Sequence, residues 1–510
     1  MRLLRSLALA VVAGVLMALA FPDANIWPSA IASIVVLWFA LGRCGAWAGL
    51  LIGWAFGTAF MLPHVYWAYT SVGVIPWVAL SIASGLFYGL FGAAWASVRR
   101  SAMLINARAW VQPIAFAILW GATEEFRSIF PFGGFPWGRV AFSQSGSPFV
   151  NLAWVGGALL VSMAVVLTGA VLALAIEAGM ARRWIYVALG PIVVIGLVIS
   201  GIFVPLNAQQ ETGMLSIGVV QGNVPNAGLD AFDTPRQVTE NHLAETQNLV
   251  SANKGPYDIV IWPENSADYD PRVDEPTEKM VNTAATLAQA PLLLGTQDLT
   301  PENGRYNISL LWSPEGKAIA EYRKQRPAPF AEYIPIRGFA RHFSSAVDRV
   351  SKDVLPGSGP AVMDLPAPVL GRSVTISTII CFEVVYDEIV RQSVKDGGEI
   401  IIVQTNNASF GVTPESTQQL AMTKLRAIEF GRTAIQASTV GVSAIVTPDG
   451  RVSNETKLFT ADSFFAKVPL RTSMTPALYV GWALRWVVLG LGVLIPFFAM
   501  RKRLADKYEW

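Results

Sequence analysis

The chain has 510 residues, 53% of them hydrophobic and 15% charged, with 17 tryptophans and a net charge of +2. That near-neutral balance excludes a nucleic-acid role driven by phosphate neutralisation, and two cysteines exclude a disulfide framework. A mean hydropathy of +0.44 points to membrane spans instead.

Apolar segments of spanning length occur at Ser6–Ala20, Ile26–Leu41, Gly45–Leu62, Val72–Ala96, Ala109–Thr123, Val150–Ile176 and Trp184–Val204, and again at Ala477–Met500 near the C-terminus. They make about eight spans. The first of them also fits a signal peptide, with a basic start and "ALA" before Phe21; the immediate succession of further spans favours a retained helix. Arg and Lys concentrate at Met1–Arg5, Arg43, Arg99, Arg100, Arg108, Arg182, Arg183 and the tail "RKRLADK". Of the alternate connections, only "EEFRSIFPFGGFPWGRVAFSQSG" carries any, Arg127 and Arg139. By the positive-inside rule the segment between the seventh and eighth spans lies outside the cytoplasm. The expected domains are 1–205, 206–475 and 476–510.

The outer segment alternates strand and helix signals. Strands are expected at "SIGVVQ", "DIVIWP", "PLLLGTQ", "NISLLWS", "VTISTII", "IIIVQT", "TAIQAST" and "SAIVTP". Helices are expected over Thr234–Ala252, Pro276–Ala288, Tyr386–Lys395 and Pro414–Gly431, with Thr413 as the N-cap of the last. The pattern is that of a layered α/β domain.

Reactive groups in such domains gather where strands end. Glu264 follows "DIVIWP", Cys381 follows "VTISTII", and Lys324 follows the strand-like "KAIAEYR". A thiol, a carboxylate and an ammonium form a coherent set for attack on a carbonyl: nucleophile, base and oxyanion partner. Each also has a plain structural reading, as a small buried hydrophobe, a turn cap and a surface lysine. The histidines His64, His242 and His342 lie far apart, without metal-ligand spacing, and no cofactor is expected. Cys44 falls at an inner turn, so it cannot pair with Cys381; an unpaired thiol outside the cytoplasm calls for a reason.

"IVIWPEN", "YRKQRPAPFAEYIP" and "ISTIICFEVVY", in that order, resemble the Glu–Lys–Cys signature of the nitrilase superfamily. With spans on both sides, "VVQGNVP" at the domain's start and "GFPWG" in an outer loop, the chain resembles the apolipoprotein N-acyltransferase family, the superfamily's membrane-embedded branch. The resemblance implies an α-β-β-α sandwich outside a bacterial plasma membrane. It makes Cys381 the nucleophile, Glu264 the base and Lys324 the third catalytic residue. Glu332 and Glu383 match supporting acids, and Asn307 an asparagine near the site. Two residues beyond Cys381, Glu383 would share its face if the strand continued; its other reading is a cap on the helix near Tyr386.

The same resemblance implies ping-pong acyl transfer by a monomer. An acyl chain passes from a phospholipid to the Cys381 thiol, then to the α-amino group of a diacylglyceryl-modified apolipoprotein. The chain departs from the family pattern at "NNASFG", where Ser409 stands in place of tryptophan, and at Thr417 and Gln419, where histidine is usual. The aromatic loop and "YIPIRGFARHF" are candidate lipid contacts or interface anchors. Arg485, in the last span, reads as a snorkelling residue or a phosphate ligand. A membrane-anchored amidase with the same three residues is the rival enzyme; a transporter or receptor would need more charge within its spans.

Overall fold

The computed structural model describes residues 1–101, 104, 108–224, 235–252, 255–302, 304–342, 347–348 and 350–508, with side chains to 500. Thr234, Pro225 of "VVQGNVP" and Phe343 lie outside these, as do the side chains of the basic tail. The chain divides into two compact units: Met1–Tyr66 with Val74–Pro205 and Pro476–Trp510, and Trp67–Gly73 with Leu206–Thr475.

The first unit is helical: α1 (Arg2–Leu19), α2 (Pro28–Leu41), α3 (Ala46–His64), α5 (Val74–Arg99), α6 (Val111–Arg127), α7 (Ala153–Met180), α8 (Trp184–Ser200) and α14 (Ala477–Tyr508). The short α4 (Trp67–Val72) falls in the second unit. Among the described residues six helices are long and apolar enough to cross a membrane, and α2 is a shorter apolar helix. The fifth expected span, Ala109–Thr123, corresponds to α6, which has 17 residues and carries Glu124, Glu125 and Arg127 in its last turn. The chain is a membrane protein. Small residues bring α3 and α5 into backbone contact: a Cβ on Gly53 would lie 2.1 Å from the Tyr88 carbonyl oxygen.

Buried charge orders the aromatic loop after α6. Glu124 accepts from Trp120 Nε1 at 3.0 Å and from the Val140 N–H at 2.9 Å, and Arg127 donates to the carbonyls of Phe135 and Trp137 at 2.6 and 2.7 Å. Glu125 pairs with Arg139 and, at 3.1 Å, with Arg485 Nε. Arg485, expected to snorkel or to hold a phosphate, turns its guanidinium inward to a carboxylate, since a charge buried in a bundle is tolerable only when paired.

The second unit holds two six-stranded sheets, ordered β12-β1-β2-β3-β4-β5 and β11-β10-β9-β8-β7-β6. The first comprises β1 (Met214–Gln221), β2 (Ile259–Ile261), β3 (Leu292–Leu299), β4 (Arg305–Trp312), β5 (Ala318–Arg323) and β12 (Asp462–Pro469). The second comprises β6 (Val362–Ala367), β7 (Arg372–Ile380), β8 (Ile400–Thr405), β9 (Ala434–Ser438), β10 (Ala444–Val446) and β11 (Val452–Ser453). In each a parallel trio, β1-β2-β3 or β7-β8-β9, is flanked by antiparallel strands. The trios are buried on both faces and read as continuous apolar runs, "IVI" and "IIIV" among them.

Helices cover each sheet. Leu249 of α9 (Gln237–Ala252) and Val281, Ala284, Ala285 and Ala288 of α10 (Glu275–Ala288) pack on Val260, Leu292, Leu294 and Leu310. The start of α10 is set locally: Asp274 accepts the Thr277 N–H at 3.0 Å, and Glu275 and Glu278 sit in the first turn. On the other side lie α12 (Asp387–Lys395) and α13 (Glu415–Phe430), the latter closed by Gly431 at φ 61°. A four-residue helix, α11 (Arg337–Ala340), lies in the loop after β5. The sheets are joined by side chains: Ser309 of β4 bonds Gln404 of β8, and Gln404 Nε2 donates to the Trp262 carbonyl at 2.6 Å.

Candidate active site

Five strands converge at one place, four by their ends and β4 by its start. Glu264 lies three residues past β2, Lys324 immediately follows β5, Asn307 is within β4, Cys381 follows β7 and Asn406 follows β8. The turn bearing Glu264 lies hard against β3, where a Cβ on Gly295 would stand 2.7 Å from the Glu264 Cα. Only glycine accepts that approach.

Asn307 is the centre of the polar cluster. Its Nδ2 donates to Glu264 Oε1 at 2.7 Å and to Glu332 Oε1 at 3.0 Å. Lys324 Nζ lies 2.8 Å from Glu332 Oε2 and 3.4 Å from Glu264 Oε1. The second oxygen of Glu264 takes the Asn406 N–H at 2.8 Å, and that of Glu332 takes the Ala328 N–H at 2.6 Å. The Cys381 thiol stands close enough to Glu264 and Lys324 to feel both charges, and lies near Thr405. Lys324 is 1% exposed and Glu264 4%, so the plain readings of a solvated lysine and a turn cap do not describe them. Cys381 is partly exposed.

Electrostatics follow from this enclosure. Burial raises the Glu264 carboxyl above its ordinary range, against the pull of the Lys324 charge. Burial also pushes the Cys381 thiol up, and the facing Glu264 adds to it, so the resting sulfur is protonated. Burial alone would discharge Lys324, but Glu332 and Glu264 outweigh it and hold its pKa above the usual lysine value. Burial likewise opposes the charge on Glu332, yet the ammonium 2.8 Å away holds that carboxyl below its ordinary range. One cation is thus fixed beside a neutral thiol and a proton acceptor.

Glu383 reaches the site by another route than a continuing strand. The chain leaves extended geometry at Cys381, which has φ 52° and opens a 3-10 turn over Cys381–Val385. Glu383 folds back beneath it, accepting the Ile380 N–H at 2.9 Å. It also accepts from Tyr322 OH at 2.9 Å and from the N–H groups of Gln325 and Arg326 at 2.6 and 3.1 Å. It does not cap α12, which has no side-chain cap. It ties the turn that presents the thiol to the chain that presents Lys324.

Three neighbours were not singled out in the sequence: Asn406, Asn407 and Glu415. Asn407 Nδ2 donates to Glu415 Oε2 at 2.6 Å and to Gln419 Oε1 at 2.9 Å, while its Oδ1 accepts from Ser438 at 2.6 Å. Burial pushes Glu415 up to about 8. The sequence signals for Asn406 and Asn407 were their place after the β8 run, the position that Cys381 occupies after β7, and the segment "NNASFG" that they open.

Two family models match the chain: the apolipoprotein N-acyltransferase N-terminal domain over residues 13–171, and carbon-nitrogen hydrolase over 217–473. An apolipoprotein N-acyltransferase of Mycolicibacterium smegmatis is 35% identical across 97% of this chain and 85% of its own length. The chain belongs to the apolipoprotein N-acyltransferase family. A second member, from Azotobacter vinelandii, is 30% identical across 98% of this chain and 95% of its own. Among solved structures, a mutant amidase from Nesterenkonia sp. AN1 aligns with 55% of this chain and 100% of its own at 16% identity and TM-score 0.39. That value is too low to bear on the site. Family membership accounts for the combination of apolar helices with a two-sheet domain, and removes the transporter and receptor readings.

Proposed function

We propose that the protein is an acyltransferase that moves a fatty acyl chain from a phospholipid, through a thioester on Cys381, to the α-amino group of a diacylglyceryl-modified apolipoprotein. The observation carrying this reading is the convergence of the Cys381 thiol, the Glu264 carboxylate and the Lys324 ammonium, whose Nζ lies 3.4 Å from Glu264 Oε1, in a chain of this family. As Cys381 Sγ attacks the ester carbonyl, Glu264 takes the thiol proton and Lys324 faces the developing oxyanion. Collapse expels the lysophospholipid alkoxide, which recovers the proton from Glu264. The acceptor amine then attacks the thioester and passes a proton to Glu264, and the thiol is regenerated as the amide forms. Because the sulfur is protonated at rest, proton transfer accompanies attack, which suits a base whose own pKa is raised.

Asn307 and Glu332 hold Glu264 and Lys324 in place, and Glu383 holds the turn. Residues 1–205 and 476–510 form the membrane part and 206–475 the catalytic domain, facing outward by the distribution of Arg and Lys. A monomer suffices, since all six groups come from one chain. Incubating the protein with phospholipid and weighing it intact tests the reading. An added fatty-acyl mass, mapped to Cys381 and discharged by a diacylated lipopeptide, is expected. No adduct, or free fatty acid without acceptor, would favour the amidase-like alternative.

A further inference from the structure

The loop after β8 receives a side chain from far away in sequence. Trp67, on α4 between α3 and α5, is 8% exposed and belongs to the same compact unit as the two sheets. Its ring stands edge-on to Phe410, with centroids 5.2 Å apart and planes at 80°. Its Nε1 donates to Gln418 Oε1 at 3.3 Å. On the same short helix, Thr70 Cγ2 lies 3.3 Å from where a Cβ on Gly411 would stand.

Trp67 therefore touches both elements that follow β8: the 3-10 turn Ala408–Phe410 and the first turns of α13. That turn begins next to Asn406, whose N–H holds Glu264 Oε2 at 2.8 Å, and Asn407, whose amide joins Glu415 and Gln419 of α13. Ala408, at the start of the turn, is buried with Val224, Val238 and Val440, whereas the small Ser409 and Phe410 at its far end are only half-buried. A shift of Phe410 reaches Asn406 within four residues.

We propose that Trp67 is a positioning residue for Glu264, a wedge that pins the Asn406–Phe410 turn against α13 and so aims the Asn406 N–H at the carboxylate. An edge-to-face aromatic pair is attractive beyond the area it buries, and here it seats Phe410 at the end of a short turn. The proposal rests on Glu264 being the base, and the two are separable: Glu264→Gln tests the base, Trp67 variants test its aim.

The experiment uses the full chain in phospholipid-containing micelles and follows Cys381 acylation by intact mass against pH and lipid concentration. Trp67→Ala is expected to slow acylation at saturating lipid at least about tenfold, with lipid KM unchanged within about twofold. The acid limb is expected to move to higher pH, because a weakened Asn406 N–H bond no longer favours ionised Glu264. The charged and titratable groups facing Glu264 (Lys324, Glu332, Cys381 and Glu415) are untouched in this variant. Trp67→Phe, which keeps a ring against Phe410, should recover most of the rate. Should Trp67→Ala fail to fold, Gln418→Leu, which removes the indole's acceptor, is expected to show a smaller loss with the same shift. Parent-like rates, an effect confined to KM, or an unmoved acid limb would each overturn the proposal. If Glu264→Gln remains active, the base assignment falls whatever Trp67 does.

Discussion

At Cys381 the backbone enters the left-handed region, φ 52°, where a residue with a Cβ is held at a cost of about 1–2 kcal/mol. The contacts that hold it there converge on Glu383, so the thiol's exposure at a sharp turn and the burial of that acid are one arrangement. Cys381→Ser should abolish the acyl-enzyme adduct, whereas Cys44→Ser should leave acylation within about twofold of the parent. Loss of the Glu264 proton relay in Glu264→Gln should cost at least about a hundredfold. Asn307→Ala deprives two carboxylates of a donor; hydrogen bonds to charged groups contribute about 1.5–3 kcal/mol, so acylation should slow about ten- to hundredfold. Burial raises Glu383 to about 7 and Glu415 to about 8, against an ordinary 4.5. Both carboxyls therefore bind their protons more tightly folded than unfolded. The associated stability is fully present below pH 4.5 and declines as pH rises through 7 and 8. Glu415→Gln keeps an acceptor for Asn407 and should flatten the alkaline part of that decline, read as melting temperature between pH 5 and 9.

Among the elements, the central strands were legible and, of the edge strands, only β5 was read as strand-like. The β7 and β8 runs, "VTISTII" and "IIIVQT", are apolar because both their faces are covered. By contrast β6 and β12, each at the edge of its sheet, were not predicted. β6 alternates buried with exposed residues and includes Pro366, and β12 is mostly half-exposed with Lys467. Edge strands have one ladder partner and accept proline and charge, so their sequences look like loops. Thr413 was expected to cap α13, yet the helix starts at Glu415 with Pro414 before it and no side-chain cap. There the inward pull of Glu415 onto Asn407 overrides the local signal. Strand ends alone made Glu264, Lys324 and Cys381 candidates with plain alternatives, and the order of the family-like motifs was what favoured them. Glu383 could not be placed, since a left-handed cysteine is invisible in a sequence. Removing its acceptor in Glu383→Ala leaves several N–H and O–H groups unpaired, and should lower stability by about 3 kcal/mol, measurable by chemical denaturation, while slowing acylation.

For the molecule as a whole, hydropathy located the apolar helices, and the tally of Arg and Lys bears on which way they run. A direct check uses Val273, which is 86% exposed in the catalytic unit. In a Cys44→Ser background, Val273→Cys should react with a membrane-impermeant maleimide added outside intact spheroplasts. Labelling only after lysis would reverse the assigned orientation.

Glu264, Asn307 and Lys324 are carried by the first sheet or its ends, Cys381 and Asn406 by the second. The reacting groups consequently face one another across a seam, bridged by Ser309, Gln404 and the Trp262 carbonyl. On warming, slippage along that seam would part sulfur from carboxylate while each layer kept its own ladder. Thioester formation should then fade several degrees before circular dichroism records any loss of strand.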